Sequence, residues 1–207
     1  MELVIPIFPI KLVVFPQSKY PLHIFEKRYK KLINYCLDGH TGFGIISIIG
    51  NEFSMVGTYV TINKLLKKYT TGEMDIIVEG KERFSIISYE MHADGYYTAS
   101  INNYKDISTQ ADIILLEEME IKFEKIIDRV SYKLEDSFWK NYRSSQLKSF
   151  KLAEKSGLSL QQQQTLLSLQ NESERISFLI NHFEKLEDML TEDNALKNII
   201  MGNGFIN

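Results

Sequence analysis

All four prolines of this chain fall within its first 21 residues, in the stretch IPIFPIKLVVFPQSKYPLHIFEKRYKKL that occupies residues 5–32. A proline fixes φ and removes a ladder donor, so a strand that holds one is short, bulged or at the edge of a sheet. Two short apolar runs closed by Phe8-Pro9 and Phe15-Pro16 are followed by Pro21 and then by helical spacing. The chain is therefore expected to open with kinked strands that feed a helix.

The pattern after this opening divides the chain in two. Nine of the eleven tyrosines precede residue 108, in apolar segments of strand length separated by turns. Strands are predicted near 3–8, 12–15, 43–49, 54–64, 75–79, 83–91 and 96–104, with turns at 39–42, 50–52, 71–72, 79–82 and 93–95. Seven short strands at this spacing suggest a closed or half-closed barrel that leaves few edges exposed. One helix, over 26–37, interrupts them. Phe25, Tyr29, Leu32, Ile33 and Cys36 share its apolar face, and Lys27, Lys30, Lys31 and Asn34 take the other.

Beyond Asp106 the period becomes helical. Thr109 to Asp112 is a start signal, and apolar residues from Ile113 to Leu134 recur at three and four, which predicts a helix of about 25 residues, roughly 37 Å long. A second helical segment covers 137–155 and ends at Ser156-Gly157. Ser159 and Gln162 form a capping box for a third, and Asn171 to Glu174 opens a fourth that carries Ile176, Leu179, Ile180, Phe183, Leu186 and Leu190 on one side. The glutamines at 161–164 are expected on an exposed turn of the third helix. The expected organisation is a β-barrel subdomain over 1–106, a four-helix bundle over 107–190 and a tail over 191–207, an α+β chain overall.

Several chemistries are excluded at this level. No apolar run approaches the ~20 residues of a membrane helix, and the amino terminus lacks a basic patch followed by an apolar core, so a cytoplasmic location is expected. Cys36 is the single cysteine; it permits no intrachain disulfide and no cysteine-based zinc site, and its helical spacing predicts a buried, inert thiol. Net charge is −3, with 12 basic and 11 acidic groups in residues 1–107 and 12 and 16 in residues 108–207, which disfavours a dedicated nucleic-acid binder. His23 and Glu26 have no ligand cluster around them, and Gly80-Lys81 has no partner glycine five residues earlier. Asp75, Glu79 and Glu82 are expected to be solvated turn residues. No catalytic residue, metal or cofactor is expected.

The opening also resembles that of the Lon substrate-binding domain family, whose Pro-Leu-x-Ile-Phe-Glu-x-Arg-Tyr segment is matched by Phe25, Glu26, Arg28 and Tyr29 after Pro6, Phe15 and Pro16. Val56-Gly57-Thr58 and the run from Gly72 through Gly80 to Arg83-Phe84 are similar to the family's next motifs, with Thr71 where aspartate is usual. Leu152-Ala153, Leu158-Ser159, Leu166-Leu167 and Glu174-Arg175-Ile176 resemble its helical part. The resemblance implies a PUA-like pseudo-barrel followed by a helical bundle. It further implies the stand-alone, non-catalytic version of a module that recognises substrates for proteolysis, without the ATPase and peptidase modules.

Three functions follow as expectations. The first is binding of unfolded or extended polypeptide, with Phe8, Pro9, Leu22 and Phe25 as contacts and Lys27, Lys30 and Lys31 as rim, through strand addition near the proline-broken strands. The second is RNA binding through Lys64, Lys67, Lys68, Tyr69 and Lys81. The third is a regulator or adaptor whose helical half docks on a protease, a chaperone or a second copy. The family-motif residues, Arg83 above all, are expected to serve mostly structure.

Overall fold

The computed structural model describes residues 3–192, and these divide between Lys105 and Asp106 into two compact units. The first runs β1 (Leu3–Ile10), β2 (Lys19–Ile24), α1 (Lys27–Gly39), β3 (Phe43–Ile49), β4 (Glu52–Phe53), β5 (Val56–Lys68), β6 (Met74–Met91) and β7 (Tyr97–Asn103). The strands β1-β7-β6-β5-β3 follow one another in a mainly antiparallel sheet, and a parallel β1–β3 pairing closes the ring. β2 pairs with β6 and β4 with β3.

Register explains how a strand with two prolines lies inside this ring. β1 pairs with β7 from Leu3 to Ile7 and with β3 from Ile7 to Ile10, so it exchanges partners at Ile7. Pro6 and Pro9 flank that exchange, each where β1 has one neighbour, and the missing N–H can face the unpaired side. β1 is thus paired along its whole length rather than left open.

Two expectations for the strands and their turns are corrected. Residues 12–15 are irregular, although Val13, Val14 and Phe15 are buried. The strand of this region is β2, on the other side of the Phe15-Pro16 turn. Residues 79–82 are no turn, because β6 runs through them unbroken. Gly80 serves close approach instead: a Cβ there would lie 2.2 Å from the Phe15 carbonyl oxygen, and its own N–H and C=O bond to Ser18 and Gln17 at 2.9 and 2.8 Å. A turn and a close contact ask for the same residue, so sequence alone does not separate them.

Two apolar clusters fill the unit. One joins Tyr29, Leu32, Ile33 and Cys36 of α1 to Phe8, Phe43, Val60, Met74, Ile76 and Val78, as the predicted apolar face requires. Phe25 departs from that face and is 61% exposed. The other cluster centres on Phe84 with Ile5, Ile7, Ile46, Ile86, Ala99 and Ile101.

The second unit holds α2 (Ile113–Arg129), α3 (Asp136–Ser144), α4 (Lys148–Ala153), α5 (Leu160–Ser168) and α6 (Glu172–Glu192). The expected single helix over 137–155 is two. Lys148 folds back so that its Nζ donates to the carbonyls of Tyr142 and Arg143 at 2.6 and 2.8 Å, which caps the end of α3 and stabilises the break. α2 has 17 residues. Val130 and Leu134 keep the apolar period and are buried, yet Ser131 has φ 54° and the chain has already turned. The capping box forms as expected, with Ser159 and Gln162 bonded reciprocally. Of the four glutamines only Gln161 is exposed, and Gln164 is buried. The tail assigned to 191–207 lies outside the described residues, apart from 191 and 192, which continue α6.

A buried network holds the carboxy-terminal motif. Arg175, fully buried, forks onto Asp106 at 2.7 and 2.9 Å, bonds Glu172 and Ser149 through Nε at 2.9 and 3.1 Å, and donates to the Leu169 carbonyl at 2.8 Å. Glu172, also fully buried, accepts from the Ser149 N–H and hydroxyl at 3.0 and 2.7 Å. Each charge is compensated, as burial demands.

Candidate functional site

The predicted contact residues do not share one surface. Phe8 is buried and stacks on Tyr29 with ring centroids 3.9 Å apart. Pro9 is buried opposite Ile46, and Leu22 is buried opposite Ile76. These three are buried and, contrary to expectation, offer no contact surface. Phe25, Lys27 and Lys31 are exposed; Lys31 is paired with Asp94, and half-buried Lys30 donates to the Thr71 carbonyl at 3.2 Å. Two of the rim lysines therefore tie α1 to hairpin turns.

The motif residues pack the fold. Any Cβ on Gly57 would come within 2.7 Å of the Phe84 ring. Thr58 Oγ1 donates to the Val14 carbonyl at 2.5 Å, and Gly72 supplies the φ of 80° in the turn after β5. Glu26 pairs with Arg28 at 2.9 Å, and the Arg28 guanidinium lies 4.5 Å from the Tyr29 ring centroid. Arg83 is buried with its guanidinium 5.1 Å from the Tyr104 ring. Burial raises the Cys36 thiol to about 11, and its Sγ donates to the Gly42 carbonyl at 3.6 Å, so it is a poor nucleophile.

The exposed constellation stands instead around Phe25, on the outward side of β2, β6 and the distal half of β5. Antiparallel register places His23 opposite Asp75 and Asp75 opposite Lys67; Pro21, Ile77 and Lys64 form the next row, and Lys19, Glu79 and Thr61 the third. His23 Nδ1 lies 2.6 Å from Asp75 Oδ1, and the Tyr69 hydroxyl donates to Asp75 Oδ2 at 2.7 Å. The His23 bond first and the Tyr69 bond second hold the Asp75 carboxyl below its ordinary range. The His23 ring is stacked 6.0 Å from Phe25 and meets Tyr69 edge-on at 6.1 Å, while Lys67 Nζ lies 4.2 Å above the Tyr69 ring. Asp75 and Glu79 are thus strand residues, partly buried and partnered, rather than solvated turn residues. His23 pairs across strands and not with Glu26.

This arrangement offers two aromatic side chains, an apolar row and a basic margin beside β2, which pairs with β6 alone among the described strands. The distal half of β5 likewise pairs only with β6. The lysines named for RNA contact divide: Lys64 and Lys67 line this face, Lys68 donates to Asn34 at 3.1 Å, and Lys81 pairs with Glu79 at 2.7 Å. Among the described residues no group of three or more His, Cys, Asp or Glu side chains is arranged to hold a metal ion, and no helix is long and apolar enough to cross a membrane. Sequence reasoning overlooked Asp75 and His23 as a pair because a separation of 52 residues carries no periodic signal. Their matching outward parity was the one available clue.

The profile of the ATP-dependent protease La (LON) substrate-binding domain matches residues 4–187. A curated relative, the Lon protease of Buchnera aphidicola subsp. Baizongia pistaciae (strain Bp), is 23% identical over 208 residues, which cover 94% of this chain and 26% of that protein. The chain therefore spans about a quarter of this relative's length. The crystal structure of a Lon N-terminal domain protein from Xanthomonas campestris matches with a TM-score of 0.68 at 21% identity, over 86% of this chain and 98% of that one. The N-terminal domain of the Mycobacterium avium complex Lon protease matches with a TM-score of 0.64 at 13% identity, over 87% and 98%. At these identities the structural likeness shows a shared fold.

Proposed function

This chain belongs to the ATP-dependent protease La (LON) substrate-binding domain family, and from that premise we propose that it holds extended or unfolded polypeptide at the Phe25 face and cuts nothing itself. The observation that carries the proposal is Phe25, a large aromatic side chain 61% exposed beside an edge strand. An exposed phenylalanine with the His23 ring stacked 6.0 Å away supplies an aromatic anchor for an apolar side chain. The edge of β2 supplies main-chain groups for strand addition, and Lys19 and Pro21 blunt it against indiscriminate pairing. In this role the chain recognises protein substrates in the cytoplasm and delivers them, as an adaptor, to a protease or chaperone.

Fluorescence anisotropy with labelled casein tests this. Saturable binding is expected, and Phe25→Ala weakens it about tenfold, the loss of one modest anchor. No saturation up to roughly 50 µM, an affinity of about 6 kcal/mol, would end the proposal. Equal binding by Phe25→Ala would remove the site from this face.

A further inference from the structure

In the helical unit, His182 is a buried imidazole whose two ring nitrogens hold the chain on either side of the turn that enters α5. Nε2 lies 2.7 Å from the Ser156 carbonyl oxygen, and Nδ1 lies 3.3 Å from Gln162 Nε2. Between these contacts run Gly157, in the left-handed region at φ 64°, buried Leu158 and the cap residue Ser159.

The partners dictate where the protons are. The Ser159 N–H can only donate, so the Gln162 atom 2.9 Å from it is the amide oxygen, as the capping box requires. The end of that amide facing His182 is then the NH2 group, and it donates. Nδ1 accepts it and carries no proton, so the ring's one proton sits on Nε2 and goes to the Ser156 carbonyl. No group in the series Ser159, Gln162, His182, Ser156 can reverse its role without its neighbour. A second proton has one place to go, Nδ1, where it would point at the amide N–H. Either the Gln162 amide turns over and releases the Ser159 N–H, or the ring leaves and releases the Ser156 carbonyl.

The charged groups around the ring do not favour that proton. α5 carries none, Lys155 beside Ser156 and Lys185 one turn along α6 are cations, and Glu154 is paired with Lys151. Lys148 of α4 is bonded to the carbonyls of Tyr142 and Arg143, and Glu184 and Glu187 of α6 are paired with Lys122, Lys125 and Arg129 of α2. The Arg175 bonds to Asp106 and Glu172 and the packing of Phe123 on Phe183 hold α6 without this ring, which confines the effect to α5.

We propose that His182 is an acid-sensitive latch: neutral, it locks the entry turn of α5 through Gln162 and Ser156, and its protonation opens that turn while α2 and α6 stay packed. An open turn takes up the proton near the ordinary imidazole value of 6.5 and the closed turn only below it. Opening therefore grows as pH falls through that value, by at most about tenfold per pH unit.

Hydrogen exchange of the full chain, read by mass spectrometry at pH 7.5 and 5.5 with each rate divided by the intrinsic rate at that pH, tests the latch. Residues 158–166 are expected to exchange about five- to tenfold faster at pH 5.5, with residues 115–127 of α2 unchanged. Gln162→Glu is the diagnostic variant. Its carboxylate still accepts from the Ser159 N–H and also accepts the new proton on Nδ1, so the acceleration at pH 5.5 disappears. His182→Gln keeps a donor for Ser156 and an acceptor for Gln162 without a titrating group, and it loses the acceleration too. Equal relative exchange at both pH values in the unaltered chain, the same acceleration in α2, or an acceleration that survives either substitution overturns the proposal.

Discussion

The contact between Gly44 and Phe84 allows the packing of the ring of strands to be tested by one thermodynamic cycle. Gly44 lies in β3, in extended backbone, and a Cβ added there would sit 2.6 Å from Phe84 Cζ, 2.9 Å from Cε1 and 3.0 Å from Ile5 Cδ1. Carbon atoms rest at about 3.5–4.0 Å, so Gly44→Ala requires the Phe84 ring to retreat by about 1 Å within a closed core. Overpacking of this kind costs about 1–3 kcal/mol. Removal of glycine from the unfolded chain returns about 0.4–1 kcal/mol, so a net loss of about 1–2 kcal/mol is expected. Phe84→Leu alone is expected to cost about 1–2 kcal/mol for the lost ring burial. It also removes the two ring atoms nearest the new methyl and leaves Ile5 Cδ1, at 3.0 Å, as the remaining close neighbour, so in its background Gly44→Ala becomes close to neutral. The unfolded-state contribution is common to both backgrounds and cancels, which leaves a coupling of about 1–2 kcal/mol from the contact itself. Urea unfolding followed by near-ultraviolet circular dichroism reads it, because Tyr59 and Tyr97 pack on this cluster whereas the one tryptophan, Trp139, sits in α3. Costs that add to within about 0.5 kcal/mol would show that Phe84 does not set the space at Gly44.

Arg175→Ala is expected to destabilise the helical unit by about 3–5 kcal/mol, since it strands the buried Glu172 carboxylate. Arg175→Lys fails to rescue it, because one ammonium cannot reproduce the fork onto Asp106 together with the Nε bonds; a lysine variant with the wild-type urea midpoint would refute the bidentate account. Burial holds the His182 imidazole below its ordinary value of 6.5, with Lys185 lowering it further against the bond to the Ser156 carbonyl. The unfolded chain takes up that proton first, so stability is full above about pH 6.5 and falls as pH drops toward the folded value. His182→Gln should flatten the fall of the urea midpoint between pH 7.5 and 5.5, and an unchanged slope would exonerate this histidine. Cys36 is expected to react with a thiol reagent about 100-fold slower in the native protein than in 6 M urea; equal rates would contradict its burial.

Element types and their punctuation were legible because they depend on neighbours in sequence. The Ser159–Gln162 capping box, the α1 apolar face, the turns near 40, 72 and 95 and the change of period after Asp106 are all local signals. The family motifs were legible too, although what they do was not: Gly57, Gly80 and Phe84 earn their places by contacts between segments tens of residues apart. Sequence also misjudged β6, where a glycine needed for close approach to Phe15 looked like a turn.

Local chemistry thus determined that short, proline-broken strands and one amphipathic helix would be followed by helices, and that no run would suit a bilayer. Register decided the rest. The partner exchange at Ile7 buried Phe8 and Pro9, the pairing of β2 with β6 set His23 against Asp75, and the parity of the β2–β6 and β5–β6 ladders put Lys19, Lys64 and Lys67 on the same outward side as His23. A strand has two faces that differ by a shift of one residue, and only the long-range ladder says which of them meets water.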